Sequence, residues 1–336
     1  MRAALATILA LLLGAACAAP AQARLVYVKR AETAAPLVYT ADDDGKARRL
    51  IGVGRSPTVS PDGAWVAYVT VPRTSEDLEE LILVPVDGGA RRLLMRSRSI
   101  TDVRFSPAST HVAAIVRERR VRIYSLVEDR TFDAARGFLR GYSFAPDGRA
   151  LAFGVATGVA VGAASDVYVV PLDLSVERRR VTTTGDALNP VWGPREIVYD
   201  RQRRRRGRPP AYDLWATDAL GNTTPRRLTS LTIPSLVSGL VPLEFSADGQ
   251  RLLAVFTGQD VSVGFTVNPF TGRTRALSRD FETGLVGFDL SADGRSILAH
   301  TGGPDPSQPH DVVVARYGDG RTTMLVEDAA FPDWSR

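Results

Sequence analysis

Short runs of alternating apolar and polar residues recur along the chain. Val103 and Phe105 flank Arg104, Tyr142 and Phe144 flank Ser143, Leu243 and Phe245 flank Glu244, and Phe288 and Leu290 flank Asp289. A period of two marks a strand with one buried face. Each run leads into one phrase: SPDG at residues 60–63, SPAS at 106–109, APDG at 145–148, GPRE at 193–196, and SADG at 246–249 and 291–294. Asp-Gly predicts a tight hairpin, Asp bonding its own backbone and Gly supplying positive φ. Counted from Ser60, Ser106, Ala145, Gly193, Ser246, Ser291 and Ser335, the intervals are 46, 39, 48, 53, 45 and 44 residues.

After each phrase come an apolar second strand, as at 151–155 or 252–257, and a third strand, as at 166–173 or 212–218. A further Gly turn then leads to a short outer strand with a basic start, such as Arg91-Arg92-Leu93 or Arg226-Arg227-Leu228. Four strands on a period in the forties predict a β-propeller. The stretch from Leu25 to Ile51 supplies second, third and fourth strands without a first, and residues 330–335 supply the missing one. The expectation is an all-β, seven-bladed propeller with velcro closure between N- and C-terminal strands, six blades being the alternative. Residues 24–336 form one domain on this reading, because a ring of blades grows by addition.

Residues 1–23 have a different character. Arg2, an apolar run from Ala3 to Ala16 and Ala21-Gln22-Ala23 make a secretory signal peptide, too short to span a bilayer. The expected location is therefore the periplasm or the cell exterior. Cys17, the single cysteine, lies in this leader; Gly14 stands where a lipoprotein signal has Leu, which argues against lipid anchoring. The formal charge is +5, falling to +4 with Arg2 gone, and the cationic side chains are mostly Arg spread over the whole length. So thin an excess, without interleaved aromatic platforms, points away from nucleic acid.

The repeat itself carries a resemblance. SPDG before an apolar strand, third strands such as DVYVVPLD and YDLWATDA, and outer strands such as PRRLT are similar to the WD40-like (PD40) propeller repeat of the TolB family, over essentially all of residues 24–336. The resemblance implies an exported, monomeric, non-catalytic scaffold that binds a protein or an envelope polymer. One departure is that TolB carries an N-terminal α/β domain before its six blades, whereas here the blades begin at once.

Function is expected on the face opposite the Asp-Gly turns, where the connections are long: 71–79, 156–165, 202–211, 258–263 and 302–309, with 230–239 between blades. The sharpest feature is the run of Arg203, Arg204, Arg205, Arg206 and Arg208, flanked by Arg201. It reads either as a solvated loop or as a site for phosphate, lipid headgroups or acidic polymers. The acidic loop 74–80 is its opposite in sign. Asp42-Asp43-Asp44-Gly45 reads as a turn, since it lacks the later ligands of a calcium loop. No metal or cofactor is expected from this pattern. Some polysaccharide lyases with similar repeats bind a metal through histidines, and His300 and His310 are close enough in the pattern to approach, with His111 on another blade. The alternative function is thus a lyase or hydrolase acting on a carbohydrate or anionic substrate in the channel. Prolyl oligopeptidases join such a propeller to a hydrolase domain, yet no Gly-x-Ser-x-Gly elbow leading into a helix is present, so no catalytic residue is assigned.

Overall fold

The computed structural model describes residues 24–29, 35–74, 76–160, 162–205, 208–231, 237–258, 262–278, 284–291, 293–302, 310–317 and 321–335. The leader with Cys17, and Arg206, lie outside the described residues. Within them the chain is all β, with 28 strands and no helix. The strands follow one another as antiparallel meanders. Arg55–Val59, Trp65–Val69, Glu79–Pro85 and Arg92–Ser97 form one sheet; Ile100–Phe105, His111–Val116, Arg120–Ser125 and Arg130–Arg136 form the next. Two such meanders share one eight-stranded sheet, joined only by the parallel pair Tyr212 and Gly239. Another sheet draws on both ends of the chain: Arg24–Lys29 pairs with Leu37–Asp42 on one side and with Ala329–Trp334 on the other, Leu25 opposite Trp334.

The recurring phrase is a turn closed by side-chain to backbone hydrogen bonds. Ser246 Oγ accepts the Arg251 amide at 3.0 Å and donates to Asp248 Oδ1 at 2.6 Å, while Asp248 accepts the Gln250 amide at 2.9 Å. Ser291 and Asp293 repeat the pattern, and so do Ser60 and Asp62. Gly63, Gly148, Gly249 and Gly294 take φ between +61° and +70°, which a side chain would resist. Each turn packs on its predecessor: a Cβ on Gly249 would lie 3.1 Å from Pro194, and one on Gly294 would lie 3.0 Å from Ser246. All these turns therefore share one face.

Buried side chains pack between successive sheets. Val26, Val38 and Ile51 meet Val59, Val66 and Ile82; Leu25 and Tyr27 meet Leu298, Val312 and Val326 from the other side. The first strand of each meander also carries a register shift. Four residues before the turn phrase, Ser56, Asp102, Gly141, Asn189 and Phe331 take φ between +42° and +71°, and Pro242 and Gly287 stand at the same place in strands that also bulge. A bulge bends the strand and re-aims its side chains. The sequence period did not reveal this feature.

Candidate binding surface

In the run expected as a long loop at 202–211, residues 202–205 and 208–211 are strand. Ile197–Arg205 and Arg208–Thr217 pair through Arg201 opposite Asp213 and Arg203 opposite Ala211, and after a register shift between Arg203 and Arg205, Arg205 stands opposite Arg208. The inner strand Ala187–Trp192 stops at Ala187, which faces Arg201, so residues beyond Gln202 extend as a two-stranded arm. Arg203, Arg204, Arg205 and Arg208 all lie on this arm. Antiparallel pairing orders the backbone even though the charge run has no apolar face.

The base of the arm is tightly bonded. Arg201 Nε donates to both Asp186 oxygens, at 2.8 and 2.7 Å, and its guanidinium lies 4.5 Å from the Trp215 ring centroid. Asp213 is buried and accepts from Arg227 at 2.7 Å, with Arg203 Nε at 3.4 Å from the same oxygen. Asp200, on the other side of the strand, is also buried; burial raises its carboxyl to a pKa of about 7, and a hydrogen bond from Asn189 offsets that in part. Its Oδ1 has no partner.

In the acidic run 74–80, the described partners of Glu79 and Glu80 lie away from the arm. Glu79 begins a strand, binds Arg55 at 2.6 Å and accepts the Ile100 amide at 2.6 Å; Glu80 binds Arg96 at 2.7 Å. These are ties to the neighbouring sheet and to the next strand. Asp42 to Gly45 form a turn, Asp42 bonded to Arg24 at 2.8 Å and Asp44 to Lys46 at 2.8 Å.

His300 ends the strand Ser296–His300, and His310 stands just before Val312–Arg316 rather than in a strand. Both are buried, with ring centroids 4.4 Å apart. Phe288 lies 4.8 Å and Phe331 5.8 Å from His300. Burial first and His310 second push the His300 pKa down to about 3, and its Nδ1 has no partner. His310 Nδ1 donates to the Thr301 carbonyl at 2.6 Å. His111 is far off in the meander order, at the start of its own strand, bonded to Thr110. Among the described residues, no group of three or more His, Cys, Asp or Glu side chains is placed to hold a metal ion.

A second ionisable cluster sits between first strands. Asp333 accepts from Thr58 Oγ1 at 2.7 Å and from the Val59 amide at 2.8 Å, and it shares a hydrogen bond with Asp289. Burial, then the neighbouring Asp333 charge, holds the Asp289 carboxyl well above the ordinary range. Arg104 stands nearby, paired with Asp102 at 2.7 Å. These acids tie together the first strands of three sheets, Asp289 on one, Asp333 on the next and Thr58 with Val59 on the third.

No family model matches this chain, and no curated protein does. Its backbone is similar to TolB from Acinetobacter baumannii, at 17% identity and a TM-score of 0.56, over 93% of this chain and 82% of that one. It is similar to the β-propeller domain of the Trilobed protease from Pyrococcus furiosus at 11% identity and a TM-score of 0.67, over 91% and 92%. Oligogalacturonate lyase from Vibrio parahaemolyticus gives 11% identity and a TM-score of 0.61, over 90% and 86%. At these identities the likeness is one of fold, and the fold is a TolB-like β-propeller.

Proposed function

We propose that this chain is an exported, non-catalytic, seven-bladed β-propeller, one domain over residues 24–336. Its long-loop face binds a protein or an anionic envelope polymer, with Arg203, Arg204, Arg205, Arg206 and Arg208 as the principal contact. The observation that carries the reading is the arm. Among the described residues its two strands, Ile197–Arg205 and Arg208–Thr217, are the longest pair; they outrun their own inner strand, and Arg203, Arg204, Arg205 and Arg208 lie along them.

The blade count rests on the eight-stranded sheet dividing into two meanders at its single parallel bridge, and on hydrophobic clusters that tie each set of four strands to the next. Closure rests on the pairing of Arg24–Lys29 with Ala329–Trp334. The Pyrococcus propeller is described as having an open velcro topology; here the two terminal strands are hydrogen-bonded. Export rests on the leader, and it agrees with the absence, among the described residues, of any helix long and apolar enough to cross a membrane.

The test is retention of material from an envelope extract by the chain with its arm intact and with Arg203 to Arg206 replaced by Ser. Retention by the first and loss by the second is expected. Equal retention removes the arm from the interface, and no retention by either sinks the binding role. The second reading, a propeller lyase or hydrolase, draws on the fold shared with oligogalacturonate lyase and on the close His300–His310 pair with its unpartnered Nδ1. Tightly held metal in the purified protein, together with cleavage of an acidic glycan, would establish it in place of the first.

A further inference from the structure

The strand Ala329–Trp334 has a backbone ladder on one side. It pairs with Arg24–Lys29 and forms the edge of that sheet, and its register shifts between the partners of Val26 and Val28. Within the shift Phe331 takes a φ of +51°, a conformation that costs a bulky residue energy, and its side chain is exposed. On the other side, among the described residues, no strand pairs with it, and side chains hold it in place.

Two carboxyls make the ties on that side. Asp333 Oδ2 accepts from Thr58 Oγ1 at 2.7 Å and from the Val59 amide at 2.8 Å, which joins the strand to Arg55–Val59. Asp289, on Val286–Leu290, is buried; it accepts the Trp334 amide at 3.4 Å and the amide of its neighbour Leu290 at 2.8 Å. The two carboxyls are hydrogen-bonded to each other. A hydrogen bond between carboxyls needs one O–H, because two ionised carboxylates have acceptors alone and repel each other. One proton therefore joins the terminal strand to the sheet beside it.

The surroundings put that proton on Asp289. Burial raises Asp333, but the Thr58 hydroxyl, the Val59 amide, the bond from Asp289 and the nearby Arg104 guanidinium all favour its ionised form. Asp289 is held well above the ordinary carboxylate range by burial first and the Asp333 charge second. Arg104 is itself paired with Asp102 at 2.7 Å. Across the sheets the facing residues are apolar, Leu298 opposite Asp289 and Val26 opposite Asp333. Glu244 holds the same place, two residues before the turn phrase, on the strand packed against Val286–Leu290. Towards the other end of the terminal strand His300 lies beside Phe331, with His310 against His300.

We propose that the terminal strand is a proton-dependent clasp, fastened while Asp289 donates to Asp333 and loosened when that proton is lost. Once it leaves, two buried carboxylates stand against each other between two sheets, and the strand keeps its ladder to Arg24–Lys29 with one tie fewer. Because the folded Asp289 value is raised, the stability it contributes is complete below about pH 4 and is lost as pH rises through that higher value. Alkaline conditions therefore loosen the strand, and acid fastens it. The clasp lies on different sheets from the arginine arm and does not depend on it.

The test is amide hydrogen exchange of the full chain from about pH 5 to about pH 9, corrected for the intrinsic pH dependence of exchange. Protection in Arg24–Lys29 and Ala329–Trp334 is compared with that in His111–Val116, which lies on another sheet. In the parent, the terminal pair is expected to lose protection at least about tenfold toward the alkaline end, while His111–Val116 changes by less than about twofold. Asp289→Asn supplies a donor that no pH in this range removes, so its terminal pair should keep its protection throughout. Asp200→Asn, whose titrating group is on a different sheet, should fall as the parent does. The proposal is overturned if the parent's terminal protection is flat with pH, if all strands lose protection together, if Asp289→Asn falls as the parent does, or if Asp200→Asn abolishes the fall. The first two outcomes are read on the parent alone, so the test stands even if Asp289→Asn does not fold.

Discussion

Replacing Ser246 by Ala removes one oxygen that accepts the Arg251 amide and donates to Asp248. Ser246 is buried, so an unsatisfied amide should cost about 1–3 kcal/mol, read from urea unfolding. Ala145 makes the same turn with no hydroxyl, through the Ala145 amide to the Ala150 carbonyl, which argues for the lower end. No change in unfolding midpoint would mean that the hydroxyl is replaced by water. This turn was legible from Asp-Gly alone, because its chemistry is local. The bulges four residues earlier were not legible, since Ser56, Asp102, Asn189 and Phe331 share no side-chain property, only a backbone state set by the strands around them. Buried ionisable groups were equally hidden, and they give opposite pH slopes. His300, with its folded pKa lowered to about 3, contributes stability that is complete above about pH 6.5 and is lost as pH falls toward 3. Asp200, raised to about 7, contributes stability complete below about pH 4 and lost as pH rises through 7. Between pH 4 and 6.5 the two slopes oppose each other. Stability measured across that range should therefore tilt upward with pH in Asp200→Asn, relative to the parent, and downward in His300→Phe. Parallel profiles for all three proteins would reject both assignments.

Between elements, the arginines that looked like diffuse surface charge are ties from one sheet to the next. Arg48 donates to the Leu325 carbonyl, Arg91 to Ile51, Arg178 to Arg136, Arg179 to Ala219, Arg226 to Pro269 and Arg251 to Asp293. Each acceptor belongs to the adjacent meander, and several are edge carbonyls that would otherwise invite another strand. The sequence displayed the donors, as basic starts of outer strands, and concealed the acceptors, because a backbone carbonyl has no residue signature. The arm was misread for a related reason. Arg and Pro are poor strand residues, but the outer strand Arg226–Arg227 pairs only with Trp215 and Ala216, so Pro209 and Pro210 need no ladder amide on that side. Arg226→Met keeps the apolar stem and removes the donor. It is expected to lower stability by about 1 kcal/mol, since the group is partly exposed, whereas Arg203→Met should stay within about 0.5 kcal/mol. Equal losses in chemical denaturation would show that the carbonyl ties add nothing beyond packing.

For the whole molecule, the strand missing from the N-terminal repeat and the surplus strand at the C-terminus are complementary in the sequence, and the structure pairs them. Ala329–Trp334 does more than fill an edge. Its Asp333 accepts from Thr58 and the Val59 amide, Ser335 exchanges hydrogen bonds with Arg24 through its amide and its hydroxyl, and Ala329 packs with Leu25 and Leu298. One strand thus touches the sheet before it, the sheet it completes and the sheet after it. What the sequence could not convey was this lateral bonding, which depends on side chains separated by 274 and 275 positions along the chain. Deleting residues 329–336 should expose an unpaired edge at Arg24–Lys29 and the apolar cluster behind it, lowering the melting temperature far more than deleting residues 203–208. The arm deletion removes strand that pairs only with itself beyond Gln202, so its melting temperature should remain within about 4 °C of the parent, equivalent to less than about 1 kcal/mol for a chain of this size. The terminal deletion should also become prone to association through the freed edge, visible as a concentration-dependent rise in light scattering. If both deletions melt together and neither associates, the terminal strand is not what holds the ends, and the fold would have to be stabilised by the contacts between sheets alone.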